Sequence, residues 1–204
     1  MTATHVRAPT ETDLALANGV RPPLVRYDPA APAPEFLFEV IGDFIVRKTV
    51  GAKEVSIAAV IHEFLAPFVR ANGLGRAFPE LGYELPGGGP RRKPDVSFLS
   101  EQRWPRSRPF PPGDFVPVAP DLTVEVVSPH ELADTVLTKV EEYFAGGVEV
   151  VWVVFPRQEK VYVYSSPTAL RILSRADDLT GDPVVPGFRL PVADLFPPPY
   201  APPA

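Results

Sequence analysis

Cysteine is absent from the 204 residues, so neither a disulfide framework nor a thiolate metal site can form. Histidine is scarce: His5, His62 and His130 have no spacing typical of a zinc site, and His62, within an apolar helical stripe, reads as a core or interface residue. There is no G-x-S-x-G, no P-loop and no dinucleotide-type glycine pattern, which sets aside serine hydrolases, NTPases and Rossmann dehydrogenases. No stretch resembles a signal peptide or an uninterrupted membrane span, and a soluble cytoplasmic protein is expected. A basic excess is missing too. The formal charge of −5 is the main compositional objection to a nucleic-acid partner, because phosphate binding normally leaves a basic footprint. Part of that charge fits a carboxylate cluster that a bound divalent ion would neutralise.

Proline is abundant, with 28 residues placed unevenly, and it marks boundaries more than fold. Residues 1–34 read as a proline-rich N-terminal arm with a short helix near 13–17, residues 35–196 as one domain, and 197–204 as a proline-rich tail unable to form a helix or an inner strand. An apolar content of 45% lets a chain of this length bury one sizeable core.

Within the domain, FLFEVI-GD-FIVRKTV at 36–50 predicts a hairpin turning at Gly42-Asp43. Val55, Ala58, Ala59, Ile61, His62, Leu65 and Val69 fall close to helical spacing over 52–71, with Asn72-Gly73 as the stop. Segments 77–85 and 93–99 read as strands joined through Pro86-Gly87-Gly88-Gly89-Pro90. Residues 101–119 form a long polar, aromatic loop, a kind of segment that commonly borders a functional cleft. Then come a strand at 121–127, a helix from about 131 to 145 ending at Gly146-Gly147, an almost wholly apolar strand at 149–155 and its partner at 160–164. Strand, helix, strand implies a parallel crossover, and the whole order describes an α/β fold: a mixed sheet flanked by helices.

Hydrolysing a phosphodiester at neutral pH needs a divalent cation held by oxygen ligands, an activated water and a positive group near the developing charge. Asp95 and Glu125 lie on strands that, if adjacent, stand about 4.8 Å apart and could share one ion. Asp121 repeats the Pro-Asp pattern and points to the same face as Glu125, yet four strand residues span roughly 13 Å, so it reads as a strand terminator. Glu39 shares a strand face with Leu37 and Ile41 and is a further inward acid, with an edge-strand surface role equally open. Lys139 sits roughly 20° around the helical wheel from Leu132, beside the arc of Leu132, Ala133, Val136, Val140 and Tyr143. There it either snorkels or offers its charge to a cleft. Arg91, Arg92 and Lys93, just before Asp95, could engage a phosphate backbone, although such a run is usually a solvated loop.

In their order, RRKPDVSF, PDLTVEVVSP, KVEEYFAGGVEVVWVV and VPGFRLPVADLF, together with FEVIGDFIV and GAKEVSIA, resemble the bacterial Uma family of endonuclease-like proteins over about residues 36–196. Its members are regarded as PD-(D/E)XK restriction-endonuclease-like, which implies a mixed sheet, dependence on Mg²⁺ or Mn²⁺, and a nucleic-acid substrate. By that resemblance Asp95 is the acid of the PD motif, Glu125 the second acid and Glu39 the acid of the first strand. The usual lysine two places after the second acid is Val127 here, and the resemblance implies that Lys139, on the following helix, takes its place with Tyr143 in support. The expectation is therefore a Mg²⁺-dependent endonuclease acting on nucleic acid, DNA foremost. A homodimer suits the cutting of two strands. The competing readings are a catalytically inactive binding or dimerisation module on the same fold, and a metal-dependent hydrolase of another phosphate substrate.

Overall fold

The computed structural model describes residues 25–48, 51–129 and 131–196. The helix expected at 13–17, the tail at 197–204, His5 and His130 lie outside them. Strand β1 (Val25–Arg26), within the proline-rich arm, pairs with β3 (Phe44–Arg47), which forms the expected hairpin with β2 (Phe38–Ile41). Gly42 takes a φ of 60° in the first central place of the two-residue turn, where a II′ turn calls for glycine. Helix α1 (Ala52–Ala71) follows. Its i, i+4 stripe of Ile57, Ile61, Leu65 and Val69 is buried, while Val55 is 54% exposed.

Two strands expected to be continuous each divide where they cross between two sheets. Segment 77–85 becomes β4 (Gly75–Pro79) and β5 (Tyr83–Glu84); segment 93–99 becomes β6 (Arg91–Arg92) and β7 (Val96–Ser100). Strands β5 and β6 pair across the Pro86–Pro90 turn in a five-stranded sheet ordered β1-β3-β2-β6-β5, whereas β4 and β7 pair in the large sheet. The break has a local cause. Glu80 adopts a φ of 48°, outside the extended region, and at Gly82 a β-carbon would lie 2.2 Å from the Asp114 carbonyl oxygen. On the other strand, Pro94 brings no N–H to a ladder. Asp95 therefore sits at the seam between the two sheets.

The six-stranded sheet runs β11-β10-β9-β8-β7-β4 and comprises, besides β4 and β7, β8 (Leu122–Val126), β9 (Val150–Phe155), β10 (Lys160–Ser166) and β11 (Ala169–Leu173). Its β8 and β9 are parallel and linked by helix α2 (Ala133–Ala145), as the strand-helix-strand order predicts; β7 and β8 are antiparallel. Strand β11 and a closing hairpin of β12 (Asp178–Gly181) and β13 (Val185–Pro191) were not expected from the pattern.

The core has two layers. Val96, Phe98, Val124, Val126, Trp152 and Val154 pack with the α1 stripe and with Leu179, Phe188 and Leu190 of the hairpin on one face. Leu99, Val151 and Val153 pack with Val136, Val140 and Tyr143 of α2 and with Trp104, Val116 and Ala119 of the 101–119 segment on the other. The alternation along β8 thus turns Val124 and Val126 to α1 and leaves Glu125 facing α2.

Candidate active site

Register places the two acids. In the β7–β8 ladder Val96 pairs with Val124, so Asp95 and Glu125, one residue further out on each antiparallel strand, stand opposite each other on one face of the sheet. Both are buried. Helix α2 supplies the partners of Glu125, because Lys139 and Tyr143 are one turn apart on its buried side. Lys139 Nζ donates to Glu125 Oε2 at 2.9 Å and lies 2.9 Å from Glu131 Oε1. The Tyr143 hydroxyl donates to Glu125 Oε1 at 2.5 Å. Leu132, expected beside Lys139 in the apolar arc, is the helix N-cap and is 72% exposed, where it lines the cleft.

Asp95 is held differently. Its Oδ2 accepts the Val126 N–H at 2.5 Å, which locks the carboxylate against the neighbouring strand. Its Oδ1 has Lys48 Nζ at 2.7 Å but no donor aligned for a hydrogen bond, although it is fully buried. Lys48 also contacts Glu80 at 3.0 Å and donates to the Lys93 carbonyl oxygen at 2.7 Å. Sequence reasoning missed Lys48 and Glu80. A signal for Lys48 was present: the hairpin register pairs Glu39 with Val46, and Lys48, two residues on, shares that face. Glu80 left no such trace, since only the sheet crossing brings it to the seam.

Glu39 lines the same cleft, but its carboxylate is engaged: Arg92 Nη1 donates to Oε2 at 2.8 Å and the Lys93 N–H to Oε1 at 3.1 Å. Arg92 is 2% exposed and also bonds Glu142, so its guanidinium braces β2, β6 and α2 and presents no surface to a phosphate. Arg91 pairs with Glu84 at 2.8 Å, and the Lys93 ammonium lies 4.5 Å from the Phe38 ring centroid. Asp121 is at the far end of β8, where Oδ2 accepts the Ser100 N–H at 2.6 Å and Oδ1 meets Arg103 at 2.9 Å. His62 is half-buried, with Nε2 3.3 Å from the Ala77 carbonyl oxygen.

The electrostatics are those of buried, charge-compensated groups at the cleft. Burial pushes the Asp95 carboxyl up, with Lys48 opposing. Burial acts the same way on Glu125, but Lys139, Lys48 and the Tyr143 hydroxyl outweigh it and hold that carboxyl below its ordinary value. Burial lowers both lysines and their carboxylate neighbours more than offset it, so Lys48 and Lys139 stay firmly charged. Glu80 is pushed by burial up to about 7 against the pull of Lys48.

Among the described residues, no group of three or more Asp, Glu, His or Cys side chains is arranged to hold a metal. The donor set that remains is Asp95 with Glu125, two facing carboxylates of which Asp95 Oδ1 is buried without a hydrogen bond. That pair suits a hard divalent cation such as Mg²⁺, which usually takes one or two carboxylates and completes its octahedron with water and phosphate oxygens. The cleft has a volume of about 280 Å³ and is lined also by Ser128, Glu131 and Thr135. No helix among the described residues is long and apolar enough to cross a membrane.

No curated protein matches the chain. A crystal structure described as that of a "putative nuclease belonging to DUF820" from Anabaena variabilis superposes with a TM-score of 0.71 at 23% identity, covering 81% of this chain and 93% of that one. At that identity the likeness bears on the fold alone, and it agrees with the mixed sheet described above. The Uma2 family model, described as "Putative restriction endonuclease", matches residues 26–193. That span contains the two facing acids, both lysines that touch them and every element that positions them, and the chain belongs to this family.

Proposed function

We propose that the chain is a divalent-cation-dependent endonuclease that hydrolyses phosphodiester bonds in nucleic acid, DNA foremost. Asp95 and Glu125 are its ligands for Mg²⁺ or Mn²⁺, and Lys139 is its catalytic ammonium. The observation that carries the reading is the cross-strand pairing of two buried acids with a buried lysine bonded to one of them. When bound, the cation supplies a lowered pKa for water and a positive field for the phosphoryl oxygens. The protein does the positioning. Asp95 is fixed by the Val126 N–H, and Glu125 by Tyr143. Lys139, held between Glu125 and Glu131, stands at the cleft where the lysine two places after the second acid would otherwise reach, and offsets charge as the transition state develops. Glu39 acts one step back, orienting Arg92 and the backbone leading to Asp95. Of the basic triplet, Arg91 and Lys93 remain partly exposed to meet a phosphate. Residues 35–196 form the catalytic domain, 1–34 the arm and 197–204 the tail; the protein works in the cytoplasm, and a homodimer would serve double-strand cleavage.

A second reading, a catalytically inactive binding or dimerisation module, draws on one observation: both oxygens of Glu125 already have protein donors. Cleavage assays separate the two. With Mg²⁺ or Mn²⁺, the wild type is expected to cut DNA or RNA, while Asp95→Asn and Glu125→Gln abolish cutting with an unchanged circular dichroism spectrum. Lys139→Met is expected to slow it about a hundredfold. Undiminished cleavage by folded Asp95→Asn or Glu125→Gln would refute the assignment.

A further inference from the structure

Three adjoining hollows lead from the cleft to α1, which lines the second and the third. The cleft shares Asp95 with a second cavity lined by Leu37, Glu54, Val55, Ala58 and Glu80. That cavity shares His62 with a third and larger one of about 590 Å³. The first is balanced, with Glu39, Asp95, Glu125 and Glu131 against Arg47, Lys48, Arg92 and Lys139, whereas the third is basic. It contains Arg70, Arg76 and Arg106 and no carboxylate, over a floor that includes Ala66, Ala77 and Phe78.

Each arginine is placed for an external anion. Arg70, in the last turn of α1, is exposed and has no hydrogen-bond or ion-pair partner among the described residues. Arg76 lies between two rings, its guanidinium carbon 5.3 Å from the Phe78 centroid and 4.8 Å from that of Phe110, and its Nη2 is buried without a hydrogen-bond partner among the described residues. A buried N–H of a charged group left unsatisfied is costly, so an anion reaching it gains more than at an exposed arginine. Arg106 comes from the 101–119 segment, is tethered by one Nη2 bond to the Gly75 carbonyl at 3.0 Å, and is still exposed. Its contact with Glu101 is a loose 3.5 Å.

We infer that this arginine groove is the backbone-binding subsite for the substrate strand, taking phosphodiester groups several nucleotides away from the one in the carboxylate cleft. The inference rests on the endonuclease reading and adds to it the path of the nucleic acid. Charge complementarity selects the occupant: the acids of the cleft are matched by its own cations, and a polyanion is drawn by the three cations of the groove. Length agrees. The sixteen residue steps from Glu54, in the second cavity, to Arg70, in the groove, span about 24 Å of helix, the rise of about seven stacked nucleotides at 3.4 Å each. An apolar floor under guanidinium groups also suits a stacked base. The groove removes much of the force of the overall negative charge as an objection, because the basic footprint is local.

The test is a fluorescence anisotropy titration of fluorescein-labelled DNA duplex, single strand and RNA of the same sequence, with Ca²⁺ present and over a salt series. It compares the wild type, Arg70→Ala/Arg106→Ala and Arg70→Lys/Arg106→Lys. Both positions are exposed, so the fold tolerates the changes, and Mn²⁺ binding by calorimetry is expected to stay as in the wild type. The alanine pair is expected to weaken binding about tenfold or more, uniformly across sequences, and to flatten the dependence of log K on log salt by about two; the lysine pair keeps most of both. If the wild type binds and the alanine pair matches it in affinity and salt slope, the groove is not the subsite and the endonuclease reading stands. If the wild type binds none of the three probes, both fall together.

Discussion

Helix α1 buries one acid, Glu54, in its first turn and sends Ile57, Ile61, Leu65 and Val69 into an apolar layer, whereas α2 sets Lys139 between Val136 and Val140 and bonds it, with Tyr143, to a carboxylate. The two helices lie on opposite faces of one sheet and bury comparable stripes. Beyond Glu54, the α1 face is assembled from groups that gain by leaving water. The α2 face accepts the desolvation of Glu125, Lys139 and Tyr143, which is tolerable only because each finds a partner. A polar network of that kind is a weak contributor to stability and a good way to hold a carboxylate in one place. Stability should therefore reside mainly with α1, and chemistry with α2 and the seam.

The largest expected effects test the stability half of that contrast. Leu65→Ala, at a fully buried position, should cost about 2–5 kcal/mol in urea unfolding while leaving cation affinity per folded molecule unchanged. Arg92→Met strips a charge from between Glu39 and Glu142 and should cost about 3–5 kcal/mol. It should weaken nucleic-acid binding only as far as it unfolds the protein, which distinguishes a brace from a phosphate ligand. Next in size is Tyr143→Phe. Losing the hydroxyl on Glu125 should cost about 1–2 kcal/mol, raise the Glu125 pKa and lower cation affinity at neutral pH, all readable by unfolding and calorimetry.

The smallest effect concerns pH. Because burial raises the Glu80 carboxyl to about 7, the native state binds that proton more tightly than the unfolded chain, whose glutamates titrate near ~4.3. The contribution to stability is thus complete below the unfolded value and fades as pH rises through about 7. Glu80→Gln should flatten the change in urea midpoint between about pH 5 and about pH 8.

Much of this was legible in the sequence because it is local. Gly42-Asp43 between β-rich runs specifies a hairpin, the spacing of Ile57, Ile61 and Leu65 a buried helix face, and the run around Trp152 an inner strand. Motif order singled out Asp95, Glu125 and Lys139, and the register of β7 on β8 brings the first two face to face. Lys48 was missed because its role depends on Asp95, a residue brought beside it only by the meeting of two sheets. Glu80 was missed for the same reason, lying where a strand expected to be continuous turns out of one sheet and into another. The basic triplet shows the converse error: three adjacent cations suggest a phosphate site, yet strand alternation at β6 turns Arg92 inward to two acids. The arginine groove was invisible in sequence because Arg70, Arg76 and Arg106 come from a helix, a strand and a loop.

Isothermal titration of Mn²⁺ into the full chain and into Glu125→Gln tests the central claim most directly, since it examines the pair of acids without assuming a substrate. Binding by the wild type that is lost in a folded Glu125→Gln is the predicted result. Absence of binding by the folded wild type, with DNA added to complete the coordination shell, or equal binding by both proteins, would contradict it.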